Sequence, residues 1–238
     1  MPLRVLHLSD IHFSTKFDEE KIVHTDVRNQ LLSDLRDVMV PRLGNIDKVL
    51  IAGDIAFSGK RAEYAEAAEW LEQVTSLCRC KRTDVLTVPG NHDVDRNRIL
   101  PGTKLIHHAL RTRSMPDARR ELVALAAQID GPLTDKLTDY QAFASSYGCH
   151  FESPSRPHWD HPFSLGNGLV LKLVGLTTVQ VCDSDDERGA LLLGRHQYTT
   201  IERNPREEVI VVMHHPPEWL KDRQEACEYL DSRTLEVI

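Results

Sequence analysis

The sequence lacks several features that would place it in a specialised class of protein. Hydrophobic residues make up 41% of the chain, but they never form a run near the length of about 18 residues that a membrane span needs. The five cysteines are odd in number and scattered, and no Cys-x-x-Cys pair occurs. This pattern favours reduced thiols over a disulfide framework. We therefore predict a cytoplasmic protein with no membrane partner.

An excess of basic charge is also lacking. The net charge of −7 argues against a general nucleic-acid binder, which normally carries a basic face. It does not argue against a phosphodiester substrate, because bound cations would invert the local field. Residues 1–4 lead directly into a strand, which is not the layout of a signal peptide. The length of 238 residues suits one large α/β domain or one domain with an insert.

Four apolar, strand-like runs each end in polar side chains. The runs cover 4–8, 48–52, 85–88 and 209–213, and the side chains that follow include Asp10, His12, Asp54, Asn91, His92, Asp93, His214 and His215. Helical periodicity between the first three runs indicates parallel β-α units, whose carboxyl ends share one edge of a sheet. Carboxylate, imidazole and amide oxygen together suit Mn²⁺, Fe or Zn²⁺. A metal site is predicted at this edge.

These clusters, in this order, resemble the motifs of the calcineurin-like metallophosphoesterases. The matching segments are Asp10-x-His12, Gly53-Asp54, Gly90-Asn91-His92-Asp93 and His214-His215-Pro216-Pro217. The wording Ser-Asp-Ile-His-Phe and Asn-His-Asp-Val-Asp-Arg is similar to the cyclic-nucleotide phosphodiesterase-like bacterial branch. The resemblance implies an α/β fold, a four-layer α-β-β-α sandwich with a helical insert or cap.

The resemblance also implies a site with two divalent metal ions. It assigns Asp10 and His12 to one metal, Asn91 and His214 to the other, and Asp54 to both as a bridge. The implied reaction is phosphodiester hydrolysis by a metal-bridging hydroxide.

Catalytic and substrate-binding residues follow from the same resemblance and from position. The catalytic motif is Asn91-His92-Asp93, with His92 beside the scissile phosphate as proton donor or charge stabiliser and Asp93 orienting it. His215, Arg96 and Arg98 are candidate substrate contacts.

The family's last motif, Gly-His-x-His, supplies one more ligand to each metal and is missing here. Gly194 is the final glycine and His215 the final histidine. Three explanations are open: the chain is the N-terminal portion of a longer protein, a partner subunit completes the site, or metal binds poorly. We favour the first, in which an additional C-terminal domain would complete the metal site; a partner subunit is the alternative.

Three divisions of the chain are predicted. They are 1–95 (first part of the core), 96–162 (helical insert or cap) and 163–238 (second part of the core). The insert contains helical stretches at 103–113, 117–129 and 133–147. Its segment 96–120 carries seven basic residues against one acid, Asp117. That segment either lines the substrate entrance or is a solvated helix face.

Several predictions concern burial. A helix over 18–40 is expected to bury Val23, Val27, Leu31 and Leu35, and a helix over 60–78 to bury Tyr64, Leu71, Val74 and Cys78. The first strand is expected to be buried, with His7 in the core or just behind the site. The pair His107 and His108 is expected on the surface, and His196 is expected to be exposed.

The leading functional hypothesis is a dinuclear metal-dependent phosphodiesterase acting on cyclic nucleotides or related phosphodiesters. The first alternative is a metal-dependent DNA or RNA nuclease. The second is a catalytically impaired binding or regulatory module of the same fold, which the missing motif would explain.

Overall fold

The computed structural model describes residues 3–16, 19–128 and 131–238. Asp18 and Ile129, the predicted ends of two helices, lie outside the described residues, as do Met1 and Pro2. Within the described ranges, no helix combines the length and apolar character needed to cross a membrane.

The first sheet contains three parallel strands in the order β1-β2-β3. These are β1 (Val5–Leu8), β2 (Lys48–Ala52) and β3 (Val85–Val88). In the register of the sheet, Leu8 pairs with Ile51 and Ile51 pairs with Thr87. The three strands therefore end at one edge, and the loops that follow them meet there.

The second sheet has four strands in the order β4-β5-β6-β7, of which only the β4–β5 pair is antiparallel. Its strands are β4 (His158–Gly166), β5 (Leu169–Leu176), β6 (Glu207–Val212) and β7 (Glu236–Val237). Trp159 joins the two sheets, because its indole N–H donates to the carbonyl of Thr87 at 2.7 Å. Gly175 leaves the space for that ring, since a Cβ there would lie 2.1 Å from it.

Helices complete the outer layers and the insert. They are α1 (Glu19–Asp34), α2 (Val40–Leu43), α3 (Arg61–Cys78), α4 (Pro101–Thr112), α5 (Met115–Ala126), α6 (Thr138–Ser145), α7 (Arg195–Tyr198) and α8 (Arg223–Asp231). A π-helical turn, Leu35–Met39, links α1 to α2. Helices α1 and α3 lie against the first sheet, and α7 and α8 belong with the second. This arrangement confirms the predicted four-layer sandwich.

The two predicted helix faces have different outcomes. On α3, the predicted residues Tyr64, Leu71, Val74 and Cys78 are all buried. On the helix predicted over 18–40, the second half of the face is confirmed, because Leu35 is buried and Leu31 packs against the core. The first half is wrong, because Val23 and Val27 are 60% and 62% exposed, and Arg28 and Leu32 are buried there instead.

Strand β1 differs from its prediction. It lies at an edge of the first sheet, and only β2 pairs with it among the described strands. Val5 is 41% exposed and His7 is exposed; the prediction of a core position for His7 is therefore wrong. His196 is half-buried rather than exposed, since it accepts a hydrogen bond from the Gln180 amide at 3.1 Å.

The insert packs on the core through α6. The ring of Phe143 stacks on that of Tyr64 in α3, with centroids 5.0 Å apart. The boundary predicted at residue 162 falls inside β4, and the division into three parts stays a prediction.

Candidate metal centre

Three candidate ligands at the sheet edge have an unusual backbone conformation. Asp10, His12 and Asp54 have φ of 57°, 52° and 54°. This left-handed conformation costs roughly 1–2 kcal/mol for a residue with a side chain, and such strain clusters at functional sites. Backbone hydrogen bonds hold the loops together, with Asp10 N–H donating to Gly53 and His12 N–H donating to Asp54 at 3.0 Å.

Two glycines permit the close approach of the loops. A Cβ at Gly90 would lie 2.1 Å from a carboxylate oxygen of Asp54, and a Cβ at Gly53 would lie 2.6 Å from Nδ1 of His214. Contacts this short do not occur between real side chains, so larger residues would displace both candidate ligands. The glycines before Asp54 and Asn91 are therefore part of the site.

Two groups of ligand atoms form around one carboxylate. His12, Asp54 and His92 make one group and Asp10, Asp54 and His214 make the other, with the atoms of each group within 4.8 Å of one another. Nε2 of His12 lies 3.9 Å from both Asp10 and Asp54, and Nε2 of His214 lies 3.5 Å from Asp54. Carboxylate and imidazole suit divalent metals, and two groups sharing one carboxylate match the geometry of a two-metal site.

Hydrogen bonds set the tautomers of two histidines. Nδ1 of His214 donates to the carbonyl of Ala52 at 2.8 Å, and Nδ1 of His92 donates to the carbonyl of Phe57 at 2.9 Å. In each neutral ring, Nε2 is then free to bind a metal. Nε2 of His214 lies 3.2 Å from Oδ1 of Asn91. Acceptor atoms that converge in this way fit a cation between them.

Burial favours the neutral form of His12. Its pKa is lowered, foremost by burial and further by His92 and His24, although Asp54 and Asp10 oppose the shift. A neutral imidazole is the form that binds metal.

The candidate ligands differ in exposure. The side chains of Asp54, His214 and His12 are 5%, 10% and 14% exposed, whereas that of Asp10 is 61% exposed. Asp10 accepts a hydrogen bond from the hydroxyl of Ser9. The site is therefore walled by protein around Asp54 and open to solvent at Asp10.

Asp93 joins the loops. Its carboxylate accepts hydrogen bonds from three backbone N–H groups and one hydroxyl, those of Ile55, Ala56, Gly90 and Tyr64. The predicted contact in which Asp93 orients the ring of His92 is wrong, because Nδ1 of His92 bonds to Phe57 and Asp93 is fully used elsewhere. Burial foremost raises the pKa of Asp93 to about 6.

The candidate ligands line a cleft of about 580 Å³. Other lining residues were not predicted from the sequence: Ser9, Asp183, Ser184, Asp186, Pro216 and Trp219. The acidic segment 182–188, which follows β5, is recognisable in the sequence. Its position in the cleft could not be predicted, because no motif in the segment links it to the metal centre.

His215 lies in the wall of the cleft, where the sequence placed it as a substrate contact. It is 5% exposed, and its Nδ1 accepts a hydrogen bond from the hydroxyl of Thr178 at 2.7 Å. Burial, followed by the neighbouring His214, lowers its pKa to about 3. The ring is therefore neutral at physiological pH, and it packs beside Trp219 with centroids 5.4 Å apart.

Of the two arginines predicted to contact substrate, one lines the cleft and the other does not. Arg96 lines the cleft, and in the described part of the chain no acidic side chain pairs with it. Arg98 lies away from the cleft and pairs with Asp95 and Asp135 at 3.7 and 3.4 Å.

Most of the basic segment 96–120 is paired with acids. Its ion-paired members are Arg98, Arg111, Arg113, Arg119 and Arg120.

A second cluster of charged residues lies behind the part of the cleft wall that Asp183 and Asp186 form, here called the acidic wall. His107 is fully buried, so its predicted surface position is wrong, while His108 is exposed as predicted. Nδ1 of His107 donates to Asp183 at 3.0 Å, and the Arg111 guanidinium donates to the same carboxylate at 2.8 Å. The buried ammonium of Lys136 donates to Nε2 of His107 at 3.3 Å. This cluster fixes α4 to the loop that carries the acidic wall.

A sequence profile of the family described as calcineurin-like phosphoesterase matches residues 3–238. The chain belongs to that family. Membership accounts for the two-sheet sandwich and for the carboxylate and imidazole groups collected at the sheet edge, and it implies phosphoester chemistry.

One similar protein is the uncharacterized metallophosphoesterase-like protein YydB of Bacillus subtilis (strain 168). The two are 24% identical over 209 residues, which is 87% of this chain and 40% of the relative. The chain thus spans less than half the length of this relative.

Proposed function

We propose that the chain is a dinuclear metal-dependent phosphodiesterase that acts on cyclic nucleotides or related compact phosphodiesters. The observation that carries this proposal is the pair of ligand groups that share Asp54 at the carboxyl edge of the first sheet. One group alone would suit a structural metal, whereas two groups around one carboxylate suit in-line displacement at phosphorus.

In this proposal Asp10, His12, Asp54, Asn91 and His214 would hold two divalent ions (Mn²⁺, Fe or Zn²⁺), with Asp54 shared. The ligand atoms group Asp10 with His214 and His12 with His92, which differs from the pairing of Asp10 with His12 and of Asn91 with His214 that the family resemblance implies. When bound, the ions would neutralise the anionic ester and activate water.

The protein side chains set the geometry of the reaction. The carbonyls of Ala52 and Phe57 fix the protons of His214 and His92 on Nδ1, which directs Nε2 of each ring into the site. His92 also lies within the first ligand group, so it is adjacent to any phosphoryl oxygen bound there and is placed to stabilise the developing charge. Asp93 does not contact the ring of His92. It holds the loops after β2 and β3 together by accepting hydrogen bonds from their backbone N–H groups.

The walls of the cleft support a compact substrate. A volume of about 580 Å³ is typical of small-molecule pockets. Asp183 and Asp186 on one wall are already paired with Arg111, and among the described residues the lining of the cleft contains one arginine, Arg96, and no lysine. A single positive charge supports a cyclic or mononucleotide-sized diester over the extended polyanion that a nuclease would bind.

The test is hydrolysis of bis-p-nitrophenyl phosphate with Mn²⁺, beside Asp54→Asn as control. We expect turnover that chelation by EDTA abolishes and that the variant lacks. The same preparations are then compared on a 3′,5′-cyclic nucleotide and a single-stranded oligonucleotide. Faster cleavage of the oligonucleotide would contradict the proposed substrate and favour a nuclease.

We also propose that a further ligand, from another domain or a partner subunit, completes the coordination beside Asp10. The 61% exposure of this side chain and the exposed edge of β1 leave room for such a group. Added imidazole should raise the activity of the chain in this case. Without any turnover or tight metal binding under these conditions, the alternative of a binding or regulatory module is favoured.

A further inference from the structure

Arg28 is a buried cation whose contacts are with the backbone of a metal loop. The residue is 6% exposed. Its Nη1 donates to the carbonyls of Ile11 and His12 at 2.9 and 3.3 Å, and its Nη2 donates to the hydroxyl of Thr25 at 3.0 Å. The guanidinium also stacks over the ring of Phe13, 4.2 Å from the centroid.

These contacts depend on the conformation of the loop. In an extended strand, successive carbonyl groups point in opposite directions, so one N–H group cannot reach two of them. The left-handed conformation of His12 turns the carbonyls of Ile11 and His12 toward the same nitrogen. Arg28 therefore bonds to the strained form of the loop and not to an extended one.

His12 has a particular need for such support. Nδ1 of His214 and Nδ1 of His92 each bond to a backbone carbonyl. Nδ1 of His12 is buried and, among the described residues, has no hydrogen-bond partner. A ring without that bond is oriented by its backbone and by packing against His24, Phe57 and His92.

The buried charge of Arg28 also indicates that the residue positions the loop. Among the side chains that the structure describes, which do not include those of Glu19 and Glu20, no ion pair to Arg28 is formed. Burial lowers the pKa of Arg28, and Glu66 opposes this shift through its charge. Burying a cation is unfavourable unless its hydrogen bonds compensate, and a positive charge near a metal site opposes metal binding. The contribution of Arg28 to the site must therefore be geometric.

We propose that Arg28 is a positioning residue that holds the Ile11–His12 backbone in its left-handed form and so sets the ring of His12 for metal binding. It replaces, through the backbone, the ring hydrogen bond that the other two histidines make. This inference rests on the proposed function for its metal readout but makes a separate claim about the apo protein.

The first test uses the apo protein. Amide hydrogen exchange is compared between wild type, Arg28→Ala and the control Arg36→Ala, a change at an exposed arginine just after α1. We expect Arg28→Ala to lose protection at the amides of His12 and Phe13, which bond to Asp54 and Ile55, with the strand amides of Val49 to Ile51 unchanged. Unchanged protection at His12 would overturn the proposal whether or not metal binds.

The second test separates positioning from general stability. Mn²⁺ titration of Arg28→Ala should show about 10- to 100-fold weaker binding at one site and unchanged binding at the other. Millimolar guanidinium, but not tetramethylammonium, should restore the lost affinity by occupying the cavity. Equal weakening of both sites without rescue would mean that Arg28 only anchors α1, which contradicts the proposal. Absence of Mn²⁺ binding in wild type would instead contradict the proposed function, leaving the exchange experiment to decide the role of Arg28.

Discussion

Two clusters of histidine and aspartate lie on either side of one cleft wall, and they balance their charges differently. In the cluster of His107 and Asp183, hydrogen bonds of 2.8 to 3.3 Å connect every partner, and Arg111 and Lys136 supply positive charge. In the metal centre, Asp10 and Asp54 lie 3.5 to 3.9 Å from the ring nitrogens. No lysine or arginine of the described residues pairs with either of those carboxylates.

The difference indicates what each cluster is for. A cluster whose charges are balanced by its own side chains stabilises the fold and has no need of a ligand. In the metal centre, the carboxylate oxygens and ring nitrogens converge at distances longer than those of good hydrogen bonds. A divalent cation between such acceptor atoms would contact several of them at once. The same residue types therefore form a structural ion-pair cluster in one place and a candidate metal centre in the other.

The largest expected effect comes from removing the shared carboxylate. Asp54→Asn should lower phosphodiesterase activity by on the order of 10³-fold or more, at least the loss caused by removing one oxyanion donor. The fold should survive, because the variant removes a negative charge that has no cationic side chain beside it. Thermal unfolding without metal checks this, and a melting temperature well below that of wild type would contradict the account.

Asp183→Asn should have the opposite profile. It leaves Arg111 and His107 buried with one partner uncharged, and breaking a buried pair in this way costs about 3–5 kcal/mol. Urea unfolding should show that loss, while Mn²⁺ affinity per folded molecule stays unchanged. A variant with wild-type stability and weak metal binding would contradict the distinction between the two clusters.

The pH dependence of stability should report on His107. Burial foremost, with Lys136, lowers its pKa from 6.5 to about 4. Between these values the unfolded chain takes up a proton that the folded chain does not, so stability falls as pH drops from 6.5 to 4, by about 3 kcal/mol.

The matched control is His107→Asn, which keeps a donor toward Asp183 but does not titrate. Urea unfolding at pH 7 and pH 4.5 should show a smaller decrease in the variant than in wild type. Since Asp93 and Asp183 titrate in both proteins, equal decreases would mean that His107 is not the source.

The smallest expected effect concerns Arg96, which lines the cleft, and Arg98, which lies outside it. Arg96→Gln should raise the KM for a phosphodiester by about tenfold, or ~1.4 kcal/mol, because its charge faces the cleft without an acidic partner. Arg98→Gln should change KM by less than about twofold, since Arg98 lies outside the cleft and its charge is paired with Asp95 and Asp135. Steady-state kinetics of both variants decides this, and equal effects would remove Arg96 from the substrate site.

Much of the metal centre could be predicted from the sequence for a physical reason. Parallel strands place their carboxyl ends together, so Asp10, Asp54 and Asn91 were bound to meet once the strands were recognised. Family motifs then supplied roles that position alone does not give.

The parts that could not be predicted depend on contacts between distant residues. The apolar residues of α1 lie on more than one face, and the hydrogen bonds of Arg28 to the carbonyls of Ile11 and His12, which accompany the buried face, cannot be read from their spacing. His107 and Asp183 are 76 residues apart, and neither lies in a recognisable pattern. The bond of His92 to Phe57 rather than to Asp93 likewise follows from loop geometry that spacing does not encode.

The most direct test of the metal centre is the electron paramagnetic resonance of the chain titrated with Mn²⁺. We predict two equivalents per chain and an exchange-coupled spectrum in wild type, because Asp54 belongs to both ligand groups and would be shared by the two ions, and loss of the coupled signal in Asp54→Asn. A single uncoupled ion, or an identical spectrum in the variant, would contradict the account.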